Sequence, residues 1–199
     1  MIQLTHIGEH LIAKMLSTSK EARSTLLNTN DTAFNLFEPE IRLNPLAGLI
    51  FDGAHKIDVS VLNPSTGECI AIESKLGLDR MSKTEFEKRF LAKCETSHDA
   101  SRVKGTMISV LERQLPSKIS GEKLTVTYKD LQYKVADKWI LIVRRKIKNR
   151  WQLRGKPPLS QNCKVIVFED IVDSLGGERA FNKLTNELIS QNHYIEWSL

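Results

Sequence analysis

Asp58, Glu73 and Lys75 have the side-chain types and the spacing to act together on a phosphodiester. They sit in the stretch Lys56 to Gly77, Lys-Ile-Asp-Val-Ser-Val-Leu-Asn-Pro-Ser-Thr-Gly-Glu-Cys-Ile-Ala-Ile-Glu-Ser-Lys-Leu-Gly. It reads as two strands and a turn. Ile57, Val59 and Val61 alternate with Asp58 and Ser60, and Ile70 and Ile72 alternate with Cys69, Ala71 and Glu73. A period of two with β-branched residues is the strand signal. Asn63-Pro64-Ser65-Thr66-Gly67 is turn chemistry, because proline presets one φ and glycine admits a positive one. With Pro64 to Gly67 as the loop, Asn63 faces Glu68, Ser60 faces Ala71 and Asp58 faces Glu73. Val59 and Val61 then pair with Ile72 and Ile70 on an apolar face. Lys75 lies two residues beyond Glu73 and shares the side of the two acids. A slip of one residue would put the carboxylates on opposite faces.

Like charges facing each other across a strand pair are destabilising. A divalent cation bridging Asp58 and Glu73 removes that cost, and Lys75 adds a fixed positive charge beside it. Such a set suits phosphodiester hydrolysis. The carboxylates hold Mg²⁺, the metal activates a water, and the lysine positions the water or neutralises developing charge. The same spacing also admits a solvated hairpin face with Glu73 and Lys75 as a surface ion pair.

Asp58, a turn, and then Glu73-Ser74-Lys75 at the end of the apolar run Cys69-Ile70-Ala71-Ile72 resembles the PD-(D/E)XK nuclease superfamily, which has a restriction-endonuclease-like fold. Asp58 matches the first acid of that motif, and Glu73 and Lys75 match its E-x-K. Ile57 stands where the motif has proline, a position that varies in the family. The resemblance covers roughly residues 40 to 80, and the remainder only by element order. It implies Mg²⁺, with Mn²⁺ as a substitute, held by Asp58 and Glu73 with the Ser74 carbonyl as a further ligand. In the Holliday-junction resolvases of that superfamily a glutamate on the first helix reaches the metal. By that resemblance Glu9 is a candidate ligand. Its other reading is an acid in a first helical turn, where the helix dipole favours negative charge.

Several elements must hold these residues. Ile7, Leu11 and Met15, with Ile12 and Leu16 beside them, predict a helix over residues 5 to 16, capped by Thr5. A second helical piece spans 19 to 27, opened by Ser17-Thr18-Ser19 and broken by Asn28-Thr29-Asn30-Asp31. Glu38-Pro39-Glu40 ends any helix there, and a first strand is expected from Leu46 to Asp52. Glu38, Glu40 and Asp52 are each either an additional acid or an ordinary surface or turn residue. After the hairpin, Ser82-Lys83-Thr84-Glu85 predicts a capping box, with Phe86, Phe90, Leu91 and Cys94 on the apolar face that follows. Ser97-His98-Asp99 reads as a second cap before a helix carrying Ala100, Val103, Met107, Val110, Leu111 and Leu115. Its other face presents Arg102, Thr106, Ser109 and Arg113, which either track phosphates or form a solvated surface. Leu124 to Tyr128 and Lys138 to Val143 read as strands, the second nearly all apolar as for a strand covered on both sides. Cys163 to Phe168 reads as another. Glu169 to Gly176 and Glu178 to Gln191 read as helices, and Tyr194 and Trp197 of the tail are expected to pack on the domain.

The strongest basic cluster is Arg144-Arg145-Lys146-Ile147-Lys148-Asn149-Arg150-Trp151, continuing to Lys156. Basic residues around an aromatic suit a phosphate backbone and a stacked base. The other reading is a solubilising turn.

The chain has 199 residues, 41% hydrophobic and 27% charged, which fits one ordinary globular domain. That domain is expected over 1–199, with a core of about 1–115 plus 124–170 and a C-terminal helix and tail over 171–199. The net charge of +5 is compatible with nucleic acid. No apolar run reaches the length of a membrane span, and Met-Ile-Gln-Leu-Thr-His lacks the pattern of a signal peptide. Three cysteines, Cys69, Cys94 and Cys163, are odd in number and widely spaced, which fits a reducing cytoplasm better than a disulfide framework. His55, Cys69, Cys94 and His98 have no zinc-ligand spacing. There is no phosphate-binding glycine loop and no nucleophile elbow. The order of elements predicts an α/β fold with a mixed central β-sheet flanked by helices, which is also what the family resemblance implies. The expected function is a Mg²⁺-dependent DNA endonuclease of restriction, repair or mobile-element type, a homodimer if it cuts both strands. The alternatives are a non-catalytic nucleic-acid-binding domain on the same scaffold and an RNA-directed nuclease.

Overall fold

The computed structural model describes residues 4–27, 36–46, 50–52, 55–77, 82–91, 95–96, 102–113, 120–152 and 159–196. Period-two patterning builds its centre. A seven-stranded mixed sheet contains β1 (Leu36–Arg42), β3 (Lys56–Asn63), β4 (Glu68–Lys75), β7 (Thr125–Tyr128), β8 (Leu131–Val135), β9 (Trp139–Val143) and β10 (Cys163–Val167). Strands β1, β3 and β4 lie side by side in that order, each antiparallel to the next. Beyond β4 the sheet forks. Glu68 and Cys69 pair in parallel with β8, whereas Ile72 to Lys75 pair in parallel with β9, which in turn pairs in parallel with β10. Strand β9, Trp-Ile-Leu-Ile-Val, is buried along its whole length, as its unbroken apolar pattern requires.

Each face of the sheet is covered. On one side lie α1 (Leu4–Thr18) and α2 (Lys20–Leu27), with α6 (Phe168–Ser174) and α7 (Glu178–Glu196). The Ser19 hydroxyl accepts from the Ala22 N–H at 3.1 Å and so caps α2. Leu11, Ile12, Met15 and Leu16 pack there with Val59, Val61, Ile72, Ile140 and Ile142. On the other side Leu62, Cys69, Ala71, Leu141 and Val143 meet α3 (Lys83–Phe86), a π-helical turn (Glu87–Leu91), α4 (Met107–Arg113) and α5 (Arg145–Gln152). Among the described residues no helix is long and apolar enough to cross a membrane.

Four expectations change. A strand, β1, runs through Pro39, which pairs with Val59. Proline is tolerated because β1 is an edge of the sheet, where its missing N–H breaks no ladder. The strand expected over 46–52 is only β2 (Ile50–Asp52), and it belongs to a separate small sheet with β6 (Arg102–Lys104) and β5 (Glu95–Thr96). The helix expected from Ala100 begins only at Met107: Gly105 interrupts it, and Thr106 is the cap, its hydroxyl accepting from the Ser109 N–H at 3.2 Å. The basic run after β9 is the helix α5, because Ile147 and Trp151 at a four-residue step are both buried. The β7–β8 hairpin was not expected. Its turn residues, Lys129 and Asp130, take φ of 47° and 64°, a primed turn without the glycine that usually signals one. Ser97-His98-Asp99, Cys94 and the side chains of Tyr194 and Trp197 lie outside the described residues.

Candidate active site

The antiparallel register of β3 and β4 pairs Ser60 with Ala71 and Val59 with Ile72, which sets Asp58 across from Glu73. The expected register is the observed one. The Asp58 N–H donates to Glu73 Oε1 at 3.3 Å, and the Ser74 N–H donates to Asp58 Oδ2 at 2.7 Å. Each strand thus holds the other's carboxylate with a backbone donor. The Ser74 hydroxyl adds a contact to Asp58 Oδ2 at 3.4 Å.

Lys75 closes the group. Its Nζ donates to Asp58 Oδ2 at 3.2 Å, to Glu73 Oε2 at 3.1 Å and to the Ser74 carbonyl at 2.9 Å. Three oxygens therefore converge on one position where positive charge is accepted. The side chains of Lys75, Asp58 and Glu73 are 20%, 16% and 3% exposed. This burial rules out the plain solvated face that the spacing also allowed. Phe90, anchored by Phe86 at 5.0 Å between ring centroids, lies 6.0 Å from Lys75 Nζ. The capping box positions that aromatic pair. The Ser82 N–H donates to Glu85 Oε2 at 2.7 Å, and the Glu85 N–H donates to Ser82 Oγ at 3.2 Å.

Two carboxylates and one ammonium leave the group one negative charge in excess. Burial pushes the Glu73 carboxyl up, to about 7, and the neighbouring Asp58 charge pushes in the same direction against the pull of Lys75. Burial alone would lower Lys75, but the attraction of Glu73 and then Asp58 outweighs it and raises the ammonium above its ordinary value. An added cation would relieve the burial cost of the Glu73 charge. The donor set is all oxygen, two carboxylates and a carbonyl, which fits a hard divalent cation such as Mg²⁺ or Mn²⁺. Among the described residues no three His, Cys, Asp or Glu side chains gather into one cluster. Glu9 is half-buried on α1, next to Gly8, whose position abuts Leu76 just beyond Lys75. Glu9 has a partner, and the hydrogen bonds described above join Asp58, Glu73, Ser74 and Lys75. Glu40 stands beside Asp58 in the β1–β3 register with φ of 55°, and its carboxylate is 3.3 Å from Lys56 Nζ. Glu38 accepts from the Tyr128 hydroxyl at 2.5 Å.

The site lies at the carboxyl ends of three parallel strands, because Lys75 pairs with Val143 and Val143 with Val167. Ligands in α/β sheets commonly bind at such an edge. The basic run begins there too, but its members have other partners. Arg144 Nε donates to Glu169 Oε1 at 2.8 Å, the Arg145 N–H donates to Glu169 Oε2 at 2.8 Å, and Arg145 Nη2 donates to Asp170 Oδ1 at 2.8 Å. Lys146 is exposed and Lys148 half-buried. Trp151 is 1% exposed and packs edge-on against Phe86 at 4.9 Å, so it is a core anchor and does not offer its ring to a base. Thr106 and Ser109 turn inward, with the Thr106 hydroxyl donating to the Phe90 carbonyl at 2.7 Å and Ser109 fully buried, so the expected polar stripe is not a helix face. The side chains of Arg102, Arg113 and Arg150 lie outside the described residues. Sequence reasoning missed Arg89, whose guanidinium carbon is 5.4 Å from the Phe90 ring centre and so shares that ring with Lys75. The only signal was its place before Phe90, and the π-helical turn shifts the register that a regular helix would have predicted.

Compared with family models, curated proteins and solved structures, the chain gives no match.

Proposed function

We propose that the chain is a divalent-cation-dependent nuclease of the PD-(D/E)XK kind that hydrolyses DNA phosphodiesters. The observation that carries this reading is the convergence of Asp58 Oδ2, Glu73 Oε2 and the Ser74 carbonyl on one cation-accepting point, held here by the Lys75 ammonium. Bound there, Mg²⁺ or Mn²⁺ supplies Lewis acidity and lowers the pKa of a water. The residues of the chain do the rest. Asp58 and Glu73 are fixed by cross-strand backbone donors, so little reorganisation is needed when charge develops. Lys75 carries a full positive charge to the scissile phosphate and holds the attacking water in line. Phe90 and the apolar residues beneath it keep the reacting group out of bulk water, which strengthens each charge interaction. Arg89, exposed and 5.4 Å from the centre of the Phe90 ring that Lys75 also approaches, would contact a flanking phosphate.

Supercoiled plasmid incubated with the protein in Mg²⁺ should be nicked or linearised, and EDTA, Asp58→Ala and Lys75→Ala should each prevent it. An RNA competitor that suppresses plasmid cleavage and is itself cut would reassign the substrate to RNA. Binding without cleavage of any nucleic acid, in Mg²⁺ and in Mn²⁺, would leave a binding domain. Cleavage of both strands at one site calls for two copies, which light scattering on the DNA complex would count.

A further inference from the structure

We propose that the Lys75 ammonium and the divalent cation compete for one position, so that the lysine must be drawn off its three oxygens before the cation binds firmly. The inference rests on the nuclease reading for its biological sense, but its geometry stands independently. An ammonium has three N–H donors, and Lys75 directs them to Asp58 Oδ2, Glu73 Oε2 and the Ser74 carbonyl at 2.9 to 3.2 Å. These are the same three oxygens that a cation would use. A dication and an ammonium cannot share them at contact distance, because the carboxylates neutralise only two of the three positive charges. Two backbone donors are already committed beside them, the Asp58 N–H to Glu73 Oε1 and the Ser74 N–H to Asp58 Oδ2.

Something must therefore attract Lys75 elsewhere, and a phosphodiester oxygen has the charge to do so. The Phe90 ring offers the ammonium a second contact, its centre 6.0 Å from Nζ and 5.4 Å from the Arg89 guanidinium carbon. Substrate phosphate and cation then load together, and each raises the affinity of the other by the same factor. A free protein with its own ammonium seated in the site resists stray metal and idle hydrolysis.

The test is calorimetric titration of Mn²⁺ into the full chain without nucleic acid. Lys75→Met keeps the length of the side chain and removes the charge, so it should bind Mn²⁺ about tenfold more tightly than the wild type or better. It should do so while its cleavage of plasmid is lost. Lys75→Gln serves as the second variant, with circular dichroism to confirm that each is folded. Equal or weaker Mn²⁺ binding in both variants overturns the exchange. Cleavage by the wild type with no gain in the variants removes the exchange and keeps the nuclease reading. A gain in the variants with no nucleic acid cleaved does the opposite.

Discussion

Two ionic clusters stand at the same edge of the sheet, one strand apart. Asp58, Glu73 and Lys75 belong to the hairpin, and their side chains are 3% to 20% exposed. Arg144, Arg145, Glu169, Asp170 and Asp173 link the starts of α5 and α6, and theirs are 29% to 70% exposed. The exposed cluster satisfies itself with ordinary pairs in water, where such pairs contribute little. The buried cluster holds two carboxylates against desolvation and against each other, with one ammonium between them. A fold has no structural need of that arrangement, since an apolar pair opposite Val59 and Ile72 would serve the sheet better. Burial is what separates the two clusters, and Arg144 and Arg145 of the basic run that looked strongest in the sequence pair with acidic neighbours in water.

The comparison breaks most directly at the hairpin. Asp58→Ala or Lys75→Ala should reduce plasmid cleavage on the order of 10²- to 10³-fold or more, measured as single-turnover rates on supercoiled DNA. A smaller loss would mean that the cluster does not carry the chemistry.

Trp151→Ala should destabilise the chain by about 3–5 kcal/mol in urea unfolding, because it empties a buried site against Phe86. If Trp151 instead read a base, the loss would fall on DNA affinity and leave stability intact.

Glu73→Gln sharpens the comparison through pH. The Glu73 carboxyl is raised to about 7 in the fold from an ordinary 4.5. A raised acid favours the folded state most where it is protonated in both states, below the unfolded value. Its contribution falls as pH rises through that window and stays low above it. Metal-free Glu73→Gln should therefore be more stable than the wild type at pH 8, by about 1–3 kcal/mol. The difference should narrow as pH drops below 7. Thermal melts in EDTA across this range check it, and a variant less stable at pH 8 would show that the buried charge is not a burden.

The smallest effect belongs to the exposed cluster. Arg145→Ala should leave the melting temperature nearly unchanged and cleavage largely intact at moderate salt. A large loss of cleavage with unchanged folding would return the basic run to the substrate.

The hairpin could be read almost whole because its evidence is local. Alternating Val and Ile, the Asn-Pro-Ser-Thr-Gly turn and the parity of positions 58, 73 and 75 leave one register that buries the apolar face. The capping box at Ser82 was legible for the same reason. Residues 102 to 113 were misread because Val103, Met107 and Val110 match helical spacing while Arg102 to Lys104 actually find a strand partner in Ile50 to Asp52, far away in sequence. Pro39 hid β1 because only the finished sheet shows that its strand is an edge.

The sequence by itself determined the pairing of Asp58 with Glu73, the side on which Lys75 falls and the α/β character of the chain. Each of these follows from periodicity and turn chemistry within about 20 residues. Only the tertiary structure decided that this group is buried, that Phe90 and Arg89 stand beside it, and that Trp151 and Arg145 are spent on packing and ion pairs. Burial and partnership depend on contacts between residues distant in the chain, and composition carries no record of which distant residues meet.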